Sequence, residues 1–334
     1  MNESDPIMND ASALGERIYV KCTACMSVYA DFLSWANRHH KRIVHNPGGA
    51  DTIVLLGCQV TDLAIFNDLR ALQWLCQWKA PARIFVGGCL AKRLDVPLGD
   101  DVERLDAVRH DCQWIEDTLL VDWSNPFWAT NQIIETIPNA GSLFRNSYPL
   151  RIGVGCKGNC AFCTIKQTRG NAYTIPAARC EDEFKVHDNV VLIADNPTTQ
   201  QLYEWFGLAR KHNKPISLRN VEPIVAMRVW PDLVKLSREG LLPIFHCPVQ
   251  SCNPDVIADM RRDVAATQFV IDELGARLRS NTLMATNIIV DYKDFSNRTD
   301  RVYETFDYVS WNPYWDNVWD EEKASRRWRR YFGA

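Results

Sequence analysis

Three cysteines, Cys156, Cys160 and Cys163, stand as C-x3-C-x2-C in the stretch GVGCKGNCAFCTIKQTRG. Three thiolates spaced this closely bind three irons of a 4Fe–4S cluster and leave the fourth iron open, whereas a closed structural zinc site takes four protein ligands. An open iron is a place for a substrate or a cofactor. Gly158 lets the loop wrap closely around an inorganic core, and Phe162, beside the last cysteine, supplies an aromatic wall. A zinc knuckle that borrows a distant fourth ligand, or a set of free cysteines, are the alternative readings of the same spacing.

A second set is dispersed along the chain. Cys22 follows the β-type run RIYVK, Cys58 follows TIVLLG and Cys89 follows RIFVGG. Loops leaving the carboxyl ends of parallel strands are where such sheets bind ligands, so these three cysteines are candidates to converge at one edge. The competing reading is that each is simply buried, as cysteines beside strands commonly are. Cys25, in CTAC, is a rival for Cys22. Cys247 and Cys252, in the strand end HCPVQSC, either face the active site or fill the core and a small-residue turn, the second reading being the favoured one.

The elements that must position these residues follow from apolar periodicity. Residues 1–16 read as a disordered polar lead. Between 17 and 126, short β-type runs alternate with segments of helical length, and Leu63 to Trp78 carries apolar residues at helical spacing, which together predict a small parallel α/β domain. Pro126, Pro138, Gly141 and Pro149 mark a linker over 127–149. From 150 to 316, the runs RIGVG, NVVLIAD, KPISLRN, LPIFHCPV, TNIIVDY and DYVSW alternate with helical segments and predict a partial (β/α)6 barrel, with its site at the carboxyl ends of the strands. By that position Asn196, Asn220, Glu222, Gln250 and Asn287 are candidate cofactor contacts. Trp311, Trp315 and Trp319 recur every four residues and are expected to plug the barrel end, while the tail over 317–334, ending RRWRRYFGA, is expected to be solvated.

Charge and composition narrow the classes. The 334 residues carry 38 Lys and Arg against 41 Asp and Glu, a net charge of −3, which excludes a strongly basic nucleic-acid binder held by charge alone. No apolar run approaches the roughly 18 residues that span a bilayer, and the opening MNESDPIMND is acidic where a signal peptide is basic. A cytoplasmic protein without membrane attachment is expected. In a reducing compartment its twelve cysteines are buried, catalytic or metal ligands rather than disulfides.

The C-x3-C-x2-C loop resembles that of the radical S-adenosylmethionine (SAM) superfamily, and its continuation CTIKQTRG resembles the methylthiotransferases within it. The resemblance extends over about residues 17–315, through ADTIVLLGCQVTDLA around Cys58, IFVGGCLAKR around Cys89, SLRNVEP at Glu222 and FHCPVQSCNPDVIADMRR from Phe245 to Arg262. It implies an α/β protein in which a methylthiotransferase-like amino-terminal domain precedes a radical SAM barrel. It also implies two 4Fe–4S clusters, one on Cys156, Cys160 and Cys163 that binds SAM, and an auxiliary one on Cys22, Cys58 and Cys89 that carries sulfur. The implied activity is insertion of sulfur at an unactivated carbon, with flavodoxin or ferredoxin as electron donor. Three places depart from the family: QSC at Gln250 to Cys252, DYKDF at Asp291 to Phe295, and NAYTIPA after the Arg-Gly pair. The further β-barrel domain that family members use to grip tRNA or a ribosomal protein has no counterpart after the last barrel strand. A small molecule or peptide is therefore the expected substrate. The alternatives are a tRNA or ribosomal-protein methylthiotransferase lacking the usual extra domain, and a non-enzymatic zinc-binding protein.

Overall fold

In the computed structural model the chain forms two compact units, Met1–Arg145 together with Asn317–Ala334, and Asn146–Asp316. The structure describes residues 14–23, 28, 32, 40–78, 82–105, 143–144, 147–170, 172–293 and 301–332. Cys25, and most of the expected lead and linker, lie outside these.

The first unit holds a five-stranded parallel sheet in the order β2-β1-β3-β4-β5, built from Arg17–Cys22 (β1), Arg42–Val44 (β2), Thr52–Gly57 (β3), Arg83–Gly88 (β4) and Val102–Arg104 (β5). The central strands TIVLLG and RIFVGG are buried almost throughout, as parallel strands covered on both faces must be. The outer strands β2 and β5 are three residues each and carry charges, so they give little periodic signal. The helix Asp62–Leu75 (α1) starts at Thr61, whose hydroxyl accepts from Ala64 N, and buries Leu63, Ile65, Leu72 and Leu75. The polar lead is shorter than the sequence suggests. Leu14 is buried and Gly15 N donates to Thr52 Oγ1 at 2.9 Å, so packing begins ahead of β1.

The second unit holds six parallel strands in the order β13-β12-β11-β10-β9-β6. They are Tyr148–Arg151 (β6), Val190–Ile193 (β9), Ile216–Leu218 (β10), Ile244–His246 (β11), Leu283–Val290 (β12) and Tyr308–Pro313 (β13). RIGVG is not one barrel strand. The barrel strand runs through Pro149, which an edge position tolerates because one side of an edge strand needs no ladder donor. Gly153–Val154 (β7) instead pairs antiparallel with Tyr173–Thr174 (β8). The cysteine loop is thus closed at its base by the antiparallel pairing of β7 with β8.

Helices return the chain between strands. They include Ile165–Arg169 (α2), Ala177–Val186 (α3), Thr199–His212 (α4), Pro223–Arg238 (α5), Pro254–Asp259 (α6) and Val264–Phe269 (α7), the last running on through a π turn to Leu278. In α4 a capping box between Thr198 and Gln201 fixes the start, and Asn213, left-handed at φ 48°, fixes the end.

The tail is structured. Glu321–Phe332 (α8) has acidic residues in its first turn and arginines in its last, which suits the helix dipole. Its Ala324 is buried, Arg327 Nη1 reaches Asp62 Oδ2 at 2.7 Å, and Trp328 packs against Phe66 and Arg70 of α1. The spacing Ala324, Arg327, Trp328 is one helix face, and this is why the tail docks where a charge count suggests solvation. The tryptophan trio does not form one plug. Trp311 is exposed on β13 beside Tyr303, whose hydroxyl accepts from Trp311 Nε1 at 3.1 Å, whereas Trp315 is buried in the second unit and Trp319 belongs to the first.

Candidate functional site

The register of the first sheet sets its three cysteines at the carboxyl ends of three adjacent strands. Cys22 pairs with Leu56, and Gly57 pairs with Gly88, so the residues immediately after that pair are Cys58 and Cys89. The turn needs glycine at Gly88, where φ is +73° and a Cβ would lie 2.8 Å from Gly57 O. Asp68, on α1, lies beside Cys58. Its buried carboxylate accepts from Cys58 N at 2.7 Å, while the hydroxyl of Thr23, the residue after Cys22, donates to Leu56 O at 3.0 Å. Burial pushes Asp68 up to about 8. Val60 N points at Cys58 Sγ at 3.4 Å, and both polar atoms of the Gln59 amide are buried without a hydrogen-bond partner. A buried, unused amide beside a thiol is the kind of group a bound inorganic sulfur satisfies.

In the second unit the loop after β7 carries Cys156, Cys160 and Cys163, with the first two sulfurs beside Gly158. A Cβ on Gly158 would lie 3.1 Å from Cys156 Sγ and 4.0 Å from Cys160 Sγ, and Gly158 N donates to Cys156 Sγ at 3.1 Å. The loop closes through Cys163 N to Cys160 O at 3.2 Å. Burial raises the thiol of Cys160 and pushes that of Cys163 up to about 11, with the neighbouring thiols adding to the effect. Thiols so placed are deprotonated by a coordinated metal rather than by solvent. Among the described residues no group of three or more His, Cys, Asp and Glu side chains is gathered closely enough to hold a single metal ion. A cubane asks for less, because each thiolate binds a different iron. The donor set, the amide-to-sulfur bond and the space kept open by Gly158 fit such a cluster.

Both ends of this loop are pinned by Asp195, which follows β9. Its Oδ2 accepts from Gly155 N at 2.8 Å, and its Oδ1 meets Arg169 Nη1 at 3.0 Å in a buried pair. Phe162 packs on Val256, Met260, Ile289 and Tyr292 while Ala161 N donates to Met260 O at 3.1 Å, so its ring anchors the loop to the barrel through α6 and β12.

The five strand-end candidates fall into two polar networks. Asn196 Nδ2 donates to Glu222 Oε2 at 2.9 Å. Glu222 occupies the cap position of α5 but its side chain does not cap, because the carboxylate turns toward Asn196 and Arg262 instead. The second network centres on His246, which sequence reading did not single out. His246 Nδ1 accepts from Asn220 N at 3.1 Å, and its Nε2 lies 3.2 Å from Asn287 Oδ1. That pairing requires the proton on Nε2, and burial holds the ring neutral by lowering it to about 4. Gln250, left-handed at φ 68°, joins through its backbone N to Asn287 O at 2.9 Å. Cys247 is fully buried in the core and Cys252 is half-buried in the turn before α6.

No family model matches the chain. It is 28% identical over 264 residues to the ribosomal protein uS12 methylthiotransferase RimO of Cereibacter sphaeroides, an alignment covering 73% of this chain and 56% of that protein. It is 23% identical over 312 residues to a probable threonylcarbamoyladenosine tRNA methylthiotransferase of Methanothermobacter thermautotrophicus, covering 83% of this chain and 70% of that one. The fold is similar to that of the radical SAM methyltransferase TsrM from Kitasatospora setae, solved with tryptophan and a SAM analogue bound. The TM-score is 0.51 at 8% identity, over 87% of this chain and 70% of TsrM. The chain is thus similar to methylthiotransferases at 23–29% identity, and its α/β fold is similar to that of a radical SAM methyltransferase. It spans little more than half the length of the Cereibacter relative.

Proposed function

We propose that the protein is a radical SAM enzyme that inserts sulfur at an unactivated carbon, with a SAM-binding 4Fe–4S cluster on Cys156, Cys160 and Cys163 and an auxiliary cluster on Cys22, Cys58 and Cys89. The observation that carries this reading is a pair of three-cysteine groups, one at the carboxyl ends of three adjacent parallel strands and one in the single loop between β7 and β8, each with a backbone N–H directed at a cysteine sulfur. When bound, the first cluster supplies the electron that cleaves SAM to methionine and a 5′-deoxyadenosyl radical able to take hydrogen from carbon. Asn196 and Glu222 offer a carboxylate and an amide for the charged end of SAM, and Asn220, His246 and Asn287 offer fixed polar groups along the next strands. The auxiliary cysteines hold the sulfur to be delivered, and the buried Gln59 amide is available to it.

The substrate in this reading is a small molecule or peptide held by shape, supported by the acidic balance of the chain. A second reading, a ribosomal-protein or tRNA substrate, is favoured by the names of the relatives. Salt-dependent binding of tRNA by purified protein separates the two. Flavodoxin or ferredoxin is the proposed electron donor. Anaerobic reconstitution tests the whole reading. About eight irons are expected, four for each cluster. Replacing Cys156, Cys160 and Cys163 by Ala is expected to abolish SAM cleavage, whereas replacing Cys22, Cys58 and Cys89 by Ala retains cleavage and halves the iron. Full iron content in the latter variant overturns the auxiliary assignment.

A further inference from the structure

Arg262 lies beyond α6, 102 residues from the cysteine it touches. Its Nη1 lies 3.8 Å from Cys160 Sγ and 3.9 Å from Glu222 Oε1, and its Nη2 donates to Pro248 O at 2.8 Å. The side chain is 6% exposed, and its Nε is buried with no hydrogen-bond partner. Pro248 fixes the guanidinium, so its charge faces the sulfur and the carboxylate together. A cation hydrogen-bonded to a cluster thiolate stabilises the more negative, reduced cluster, and hydrogen bonds to sulfur are one of the means by which proteins set cluster potentials.

We propose that Arg262 is a positioning residue that raises the reduction potential of the cluster on Cys160 through its N–H to the sulfur, with Glu222 offsetting part of its charge. This rests on the cluster assignment above. The electron that the cluster takes up comes from the external reductant, and Arg262 neither gains nor loses a proton in the step. Because Arg262 joins a cluster ligand to a strand-end carboxylate, a cation that neutralises Glu222 is felt at Cys160 through one rigid group.

The test is an EPR-monitored dithionite titration of the reconstituted full chain, reading the couple that disappears when Cys156, Cys160 and Cys163 are replaced by Ala. In Arg262→Gln the couple is expected to move to more negative potential by about tenfold in the reduction equilibrium, or about 59 mV for one electron. Arg262→Lys, which keeps the charge, is expected to recover part of the shift. Glu222→Gln is expected to move the couple the other way. A purely structural role through Pro248 predicts no such ordered displacement. Equal potentials in the parent and both Arg262 variants overturn the proposal, as does a shift of the same sign in Glu222→Gln. Should Arg262→Gln fail to hold iron, the Lys and Glu222 variants decide it. Absence of any such couple in the parent protein overturns the cluster reading, and this proposal with it.

Discussion

Arg169 and Asp195 form an ion pair at 3.0 Å with side chains only 2% and 6% exposed, and the same carboxylate accepts from Gly155 N. The pair therefore links the residue before the cysteine loop to the helix after it. Asp195→Ala removes the carboxylate that faces a buried guanidinium, a change that costs on the order of 3–5 kcal/mol. Urea unfolding of the second unit should show this loss, and iron retention on Cys156, Cys160 and Cys163 should fall with it. Asp195→Asn keeps an acceptor for Gly155 and is expected to be milder. Equal stability of the Ala variant and the parent would contradict the bracing role.

Asp68 has the corresponding place beside Cys58. In Asp68→Ala the half-buried Cys58 amide loses its acceptor, which costs about 1 kcal/mol. Iron bound in a chain lacking the other three cysteines should drop, while Asp68→Asn, which retains an acceptor oxygen, should keep most of it. Undiminished iron in Asp68→Ala would remove Asp68 from the site.

Gly57 leaves no room for a side chain. A Cβ there would lie 2.7 Å from Leu90 and 2.9 Å from Asp68 Oδ2. Gly57→Ala is expected to destabilise the first unit by about 1–3 kcal/mol, read as a lowered thermal midpoint, because the strand must shift away from both neighbours.

The α8 contact is testable by a double-mutant cycle. Arg327 and Asp62 meet at 2.7 Å with side chains 17% and 4% exposed. Arg327→Ala should destabilise the first unit by about 2 kcal/mol or more, since Asp62 keeps a largely buried charge. The combination with Asp62→Asn should cost less than the sum of the single changes. Strict additivity would mean that the two side chains do not interact.

Glu183 gives a pH dependence. Its Oε1 accepts from Tyr148 OH at 2.6 Å, and burial pushes the carboxyl up to about 8 from an ordinary 4.5. A carboxyl raised on folding holds its proton more tightly in the native state. Its contribution is complete below about pH 4.5 and is lost as pH rises through about 8, on the order of a few kcal/mol. Thermal midpoints should decline across that window in the parent, and the decline should be shallower in Glu183→Gln. Parallel profiles would place the titration elsewhere.

The parts of this molecule legible in its sequence are those with local signals. Cys156, Cys160 and Cys163 are recognisable within one loop, and TIVLLG and RIFVGG announce buried strands whose ends carry Cys58 and Cys89. Arg262, Asp195 and His246 were not legible as site residues, because each acquires its role from a partner far along the chain; Arg262 and Cys160 are 102 residues apart. Pro149 misled for a different reason. As a helix and ladder breaker it marks a linker, yet an edge strand accommodates it. The arginine-rich tail misled because a run of charges says nothing of the one face on which Ala324, Arg327 and Trp328 meet α1.

The first unit is assembled from segments on either side of the second, since α8 packs on α1 while the residues between them include the whole second unit. During synthesis the early strands emerge long before the helix that covers Asp62 and Phe66. The second unit can form as soon as its own residues have emerged, but the first completes its packing only when α8 has emerged as well. A ribosome stalled short of α8 would therefore hold a chain whose barrel is finished and whose first unit still exposes an apolar and acidic seam.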